Sequence, residues 1–282
     1  MSRETNAMLK PDFSDRTVVV IGGTSGINRG IAEYFAAAGA SVAVASRSQD
    51  KVDDTVAALK ASGAAQAMGT AFDVRDAPEV SAGLAGFHAA LGDFDVLVSG
   101  AAGNFPALTA RMSANAFRSV IDIDLLGTAH VMQAAYPFLR RPGASVINIS
   151  APQSYLAMEG QAHVCAAKAG VDQITRTLAL EWGGEGIRVN SVVPGFIEGT
   201  EGTERLAPTP QIRQAIVDDI PLGRMGTTRD MGNMCLFLGS DMAAYVSGAV
   251  IPVDGALSER GAGWLGKQMG DMLRAMPQPG GD

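Results

Sequence analysis

Cysteine, long apolar runs and positive charge are scarce in this sequence, and each shortage removes a class of protein. The 282 residues hold two cysteines, Cys165 and Cys235, in no Cys-x-x-Cys or Cys/His spacing. A disulfide framework is excluded and no metal site is indicated; two buried thiols in a reducing compartment are expected. No uninterrupted apolar run reaches the roughly 18 residues of a membrane span. The opening MSRETNAMLKPDFSDR is polar where a secretory leader needs an apolar stretch. A cytoplasmic protein with no membrane partner is expected. Lys and Arg number 22 against 29 Asp and Glu, a net charge of −7. The clustered cations that hold nucleic acid are therefore not indicated.

The chain also lacks a linker rich in Pro, Gly or Ser, and it lacks an internal repeat. What it has is a regular alternation. Short β-branched or apolar runs fall at residues 17–21 (TVVVI), 41–45 (SVAVA), 67–72, 96–98, 145–149 (SVINI), 188–193 (RVNSVV) and 250–253 (VIPV). Between the early ones, residues 27–38, 50–61 and 78–91 place apolar side chains at helical spacing. Continuous apolar strands joined by helices predict an α/β fold: a seven-stranded, doubly wound parallel sheet (Rossmann fold) with helices on both faces, in one domain over residues 1–282. Three segments stand outside the rhythm. Residues 1–15 read as a flexible arm and residues 195–218 as a flap with a short helix at its end. Residues 256–282 read as a tail whose Trp264, Leu265, Met269, Met272 and Leu273 suit packing on a neighbour, covering a site, or partial disorder.

Chemistry enters at the end of the first strand. Gly22-Gly23-Thr24-Ser25-Gly26-Ile27 joins strand to helix, so backbone can approach a pyrophosphate and the helix N-terminus can bind it. The second strand ends in Ser46-Arg47-Ser48, with no carboxylate before Asp50. A ribose diol is matched by an acid at this place and a 2′-phosphate by a base. Arg47, a planar fork able to grip phosphate, selects NADP(H) over NAD(H).

With these residues in view, the chain resembles the short-chain dehydrogenase/reductase family over almost its whole length. Asp73 and Val74 stand where the family contacts adenine. Ser99-Gly100-Ala101-Ala102-Gly103 stands at its Asn-Asn-Ala-Gly turn. Lys168, Arg188-Val189-Asn190, Pro194-Gly195 and Val253-Asp254-Gly255 match further along. The family's catalytic Asn, Ser, Tyr and Lys are matched by Asp124, Ala151, Val164 and Lys168, so only the lysine is kept. Without the Tyr no phenol serves an ordinary alcohol–ketone exchange. The third glycine of the loop is Asn28, where a Cβ is expected to crowd the helix–strand approach or the phosphate.

Within the family, Ala101-Ala102-Gly103-Asn104-Phe105, Asn115-Ala116-Phe117-Arg118, Asp122-Ile123-Asp124 and the flap from Pro194 to Gly202 resemble the peroxisomal type of 2,4-dienoyl-CoA reductase, which also lacks the Tyr. That resemblance implies an oxidoreductase of fatty-acid metabolism that sends hydride from NADPH into a conjugated acyl thioester and then protonates the dienolate. The implied cofactor contacts are Gly22, Thr24, Ser25, Gly26, Ile27, Ser46, Arg47, Asp73, Val74, Ala101, Ala102, Gly103, Lys168, Pro194, Gly195 and Ile197. Lys168 binds the nicotinamide ribose. Asp124 orders a water or donates a proton, and Tyr155 is an alternative donor. Asn104, Phe105, His163 and Phe196 line the acyl region. A homotetramer or homodimer, paired through the helices carrying Asp124 and Lys168, is also implied. Two other readings remain open: a catalytically silent NADP(H)-binding sensor or assembly protein, and a reductase of another substrate with a non-standard donor.

Overall fold

A computed structural model describes residues 11–260 and Gly263. Each apolar run is a strand, and every end falls within a residue of its expected position. Strand β1 (Thr17–Ile21) leads to α1 (Gly26–Ala37), β2 (Ser41–Ser46) to α2 (Gln49–Ser62), and β3 (Gln66–Ala71) to α3 (Ala77–Leu91). After β4 (Val96–Ser99) an irregular loop precedes α4 (Ala114–Val120), a π-helical turn (Ile121–Leu126) and α5 (Gly127–Ala135). Strand β5 (Ser145–Ile149) is followed by the long α6 (Ala162–Gly183). Strand β6 (Arg188–Pro194) is followed by α7 (Glu201–Leu206), α8 (Pro210–Asp219), α9 (Thr228–Gly239) and then β7 (Val250–Val253).

All seven strands are parallel, in the order β3-β2-β1-β4-β5-β6-β7. Alternation along the buried strands divides the core. Val18 and Val20 of β1 pack with Ile31 and Phe35 of α1 and with Met231 and Cys235 of α9. Their neighbours Val19 and Ile21 pack on the opposite face with Leu84 of α3, Val131 of α5 and Trp182. A strand buried on both faces has no polar side to show, which is why its sequence reads as a continuous apolar run. Pro252, which cannot donate to a ladder, sits on the edge strand β7. The order reverses between β1 and β4, opening a crevice beyond the carboxyl ends of those two strands.

Two of the expected irregular segments differ from expectation. Phe13, placed in the arm, is 2% exposed and meets Phe35 edge-on at 5.0 Å. An apolar side chain beside an open edge of the core has more to gain from burial than from chain freedom, so the described arm, from Pro11, is docked. The flap carries two helices, α7 and α8, each begun by a threonine whose hydroxyl accepts from a first-turn N–H. Of the tail, Trp264, Leu265, Met269, Met272 and Leu273 lie outside the described residues. Among the described residues no helix is long and apolar enough to cross a membrane.

Candidate active site

The crevice between β1 and β4 holds a cavity of about 200 Å³ lined by the glycine loop, Ser46 and Arg47, Asp73 and Val74, Ala101 and Ala102, and Ile123. Gly22 has φ +75°, and a Cβ there would lie 2.8 Å from the Ala101 amide nitrogen. The close pass of the two loops therefore requires glycine. At the next turn α1 begins at Gly26 after Ser25, with no side chain capping its free N–H groups. In α2, α3, α8 and α9 a Ser, Asp or Thr does cap them. An uncapped helix start facing a cavity fits a pyrophosphate.

The far end of the cavity suits a phosphorylated ribose. Arg47 is exposed and makes no hydrogen bond or ion pair among the described residues. The Ser46 hydroxyl is buried without a partner. Asp73, by contrast, is held: the Arg75 guanidinium and amide bind its carboxylate and keep it below the usual carboxylate range. These observations fit a dinucleotide with a 2′-phosphate. Gly26 and Ile27 lie beside the cavity in the first turn of α1, and Gly103, Lys168, Pro194, Gly195 and Ile197 lie outside its lining.

Lys168 lies on α6, in its second turn after the start at Ala162. It is 6% exposed and its Nζ donates to the Ile149 carbonyl at 3.1 Å. The same Nζ lies 3.4 Å from Asp124 Oδ2. Asp124 is 1% exposed in the π-helical turn, and its Oδ1 accepts from the Gly103 amide at 2.7 Å. One carboxylate thus joins Lys168 to the turn after β4. An ammonium has three hydrogens; one of Lys168's goes to Ile149, and Asp124 Oδ2 faces the charge without a hydrogen bond, so hydrogens remain for a ligand hydroxyl.

At the family's tyrosine position, Val164 is 2% exposed and packs with Val120 and Ala167. Hydrocarbon fills the place of the usual proton donor. Tyr155 is 45% exposed, and partial burial, with Asp254 and Asp172 nearby, pushes its phenol up from the ordinary value. Asp172 was not singled out from the sequence. It is 3% exposed, lies one turn beyond Lys168 on α6, and its Oδ1 has no hydrogen-bond partner. The i, i+4 spacing of Lys168 and Asp172 was its available signal. Asp254 follows β7 and accepts from the amides of Ala256 and Ser258.

Of the acyl-region candidates, Phe105 and His163 come together, ring centroids 4.6 Å apart, with Phe117 at 6.2 Å from the imidazole. His163 is fully buried and neither ring nitrogen has a partner. Asn104 is exposed, and its carbonyl accepts from Arg205 of α7, which ties the flap to the turn after β4. Phe196 is bound through its backbone, its carbonyl accepting from the Gly226 amide.

A family model described as enoyl-(acyl carrier protein) reductase matches residues 22–258. A peroxisomal 2,4-dienoyl-CoA reductase of Arabidopsis thaliana, named as (3E)-enoyl-CoA-producing, is 40% identical over 269 residues, 92% of this chain and 88% of the relative. The Rattus norvegicus protein of the same name is 39% identical over 254 residues, 89% of this chain and 87% of the relative. Among solved structures, a short-chain type dehydrogenase/reductase from Mycobacterium ulcerans matches with a TM-score of 0.83 at 30% identity, covering 94% of this chain and all of that one.

Proposed function

The chain is a short-chain dehydrogenase/reductase and an oxidoreductase, and on that premise we propose that it reduces a 2,4-dienoyl thioester with NADPH. The observation that carries this reading is the pairing of a retained, buried Lys168 with hydrocarbon at Val164. A ketone reductase needs a donor to the carbonyl oxygen at that place. A conjugated thioester does not, because its charge collects on an enolate oxygen that hydrogen bonds can hold. The names of the relatives support the same substrate class.

The cofactor would supply hydride. Arg47 and Ser46 would hold its 2′-phosphate, the start of α1 its pyrophosphate, and a free hydrogen of Lys168 a hydroxyl of its nicotinamide ribose. The substrate takes hydride at C5, the electrons shift to give a dienolate, and a proton added at C2 leaves a 3-enoyl thioester. Asp124 acts on this site by position: with one oxygen on Gly103 and the other on Lys168, it sets the lysine and the turn rather than giving up a proton. The neutral phenol of Tyr155, backed by Asp172 and Asp254, is the donor we assign. Phe105 and His163 form the acyl wall. We further propose a cytoplasmic homotetramer paired through α5 and α6, a reading supported by Leu180, 86% exposed on α6, and Leu126, 44% exposed beside α5.

The test is the purified protein with NADPH and hexadienoyl-CoA, followed by loss of nicotinamide absorbance. Turnover well above the enzyme-free rate, with Arg47→Ala raising the KM for NADPH about tenfold or more and leaving that for NADH unchanged, is expected. Turnover of carbonyl substrates but not the dienoyl thioester would refute the substrate class. A catalytically silent protein would show neither.

A further inference from the structure

Asn28 stands where the loop's third glycine is expected, yet the cavity is open beside it. The reason lies 72 residues away. A Cβ on Gly100 would fall 2.4 Å from Asn28 Nδ2 and 2.5 Å from its Oδ1. The carboxamide thus occupies the room that any side chain at position 100 would need. Its Nδ2 donates to the Gly100 carbonyl at 2.7 Å. Bulk has moved from the turn after β4 to the first turn of α1, and a hydrogen bond now ties the two across the crevice.

That bond also determines which way the amide faces. A carbonyl only accepts, so the nitrogen is the atom bonded to the Gly100 oxygen, and Oδ1, beside the Gly100 Cα, is left to find a donor. Asn28 is 9% exposed, its side chain lines the nucleotide cavity, and Oδ1 is buried with no partner. A buried unpaired acceptor is costly, so a complementary donor is favoured. Phosphate oxygens are acceptors and do not match it. Hydroxyls do, and the sugars flank the pyrophosphate that the start of α1 suits.

We infer that Asn28 is a cofactor-binding residue whose Oδ1 accepts a hydrogen bond from a ribose hydroxyl of the bound dinucleotide, and that Gly100 is its obligate partner in volume. The inference rests on the dinucleotide reading of the cavity. A cycle of Asn28→Gly, Gly100→Ala and the double variant tests it, with two readouts: the melting temperature without ligand, and NADPH affinity by nicotinamide fluorescence. Gly100→Ala alone should melt several degrees lower or fail to fold, and Asn28→Gly in the same chain should restore it. The restored double variant should still bind NADPH about five- to tenfold more weakly than wild type, since one acceptor is gone.

Wild-type affinity in Asn28→Gly and in the double variant would overturn the ribose contact. A Gly100→Ala protein as stable as wild type, or a double variant no better than Gly100→Ala, would overturn the exchange of volume. If wild type itself binds neither NADPH nor NADH, the dinucleotide reading fails together with the ribose contact, while the stability cycle still decides the packing claim.

Discussion

Lys168 and Asp124 are each held by two contacts, and this sets what their replacement should do. Asp124→Asn keeps an acceptor for the Gly103 amide but leaves the buried ammonium without its counter-charge. Removing one partner of a buried pair typically costs about 3 kcal/mol or more, so a loss of that order is expected in urea unfolding, with kcat lowered as Lys168 loses the charge that positions it. Tyr155 answers a different measurement. Its phenol donates only while protonated, and its folded pKa is raised. Activity should therefore persist through the ordinary tyrosine range near 10 and fall as pH climbs beyond it. Tyr155→Phe should lose on the order of 10²-fold in kcat and show no such alkaline limb. An unchanged rate would rule the phenol out as the donor.

At the scale of elements, the helix starts divide by purpose. The first turn of α1 is left open toward the cavity, while α9 is closed by a capping box in which Thr227 and Asp230 bond each other's backbone. Arg224 and Thr227 hold the Asp230 carboxylate far below its ordinary value of 3.8. A depressed carboxylate stabilises the fold above its unfolded pKa and loses that contribution as pH falls through the folded one. Asp230→Asn should therefore cost about 1 kcal/mol at neutral pH, and thermal melts should show the gap to wild type closing below pH 4. The π-helical turn at Asp124 was not legible in IDIDLL. Its extra residue is accommodated by packing of the 114–135 helix against α6 and the Gly103 turn, contacts that no local pattern encodes. The flap likewise reads as irregular from GFIEGTEGTERL, although its threonine caps were visible in principle.

For the molecule as a whole, two faces of one sheet are filled, while α6 leaves Leu180 almost fully in water. One exposed leucine is ordinary on a protein surface; its place on the helix proposed to pair makes Leu180 the position to test. Leu180→Glu should shift the protein to a smaller species by light scattering while leaving NADPH affinity intact, since Leu180 lies outside the cavity lining. An unshifted mass would place any pairing surface elsewhere.

The sequence by itself determined the strands, the helices between the early ones and the glycine turn, and it supplied the Arg47 on which the proposed 2′-phosphate preference rests. Each depends on residues close together in the chain: an apolar period, a glycine turn, an arginine at a strand end. Only the tertiary structure decided that Asn28 is accommodated rather than obstructive, that Asp124 meets both Lys168 and Gly103, and that Asp172 is buried with an unpaired oxygen. Those facts are contacts between segments tens of residues apart, and whether a side chain there clashes, pairs or is left unpaired depends on distances that exist only once the sheet has assembled.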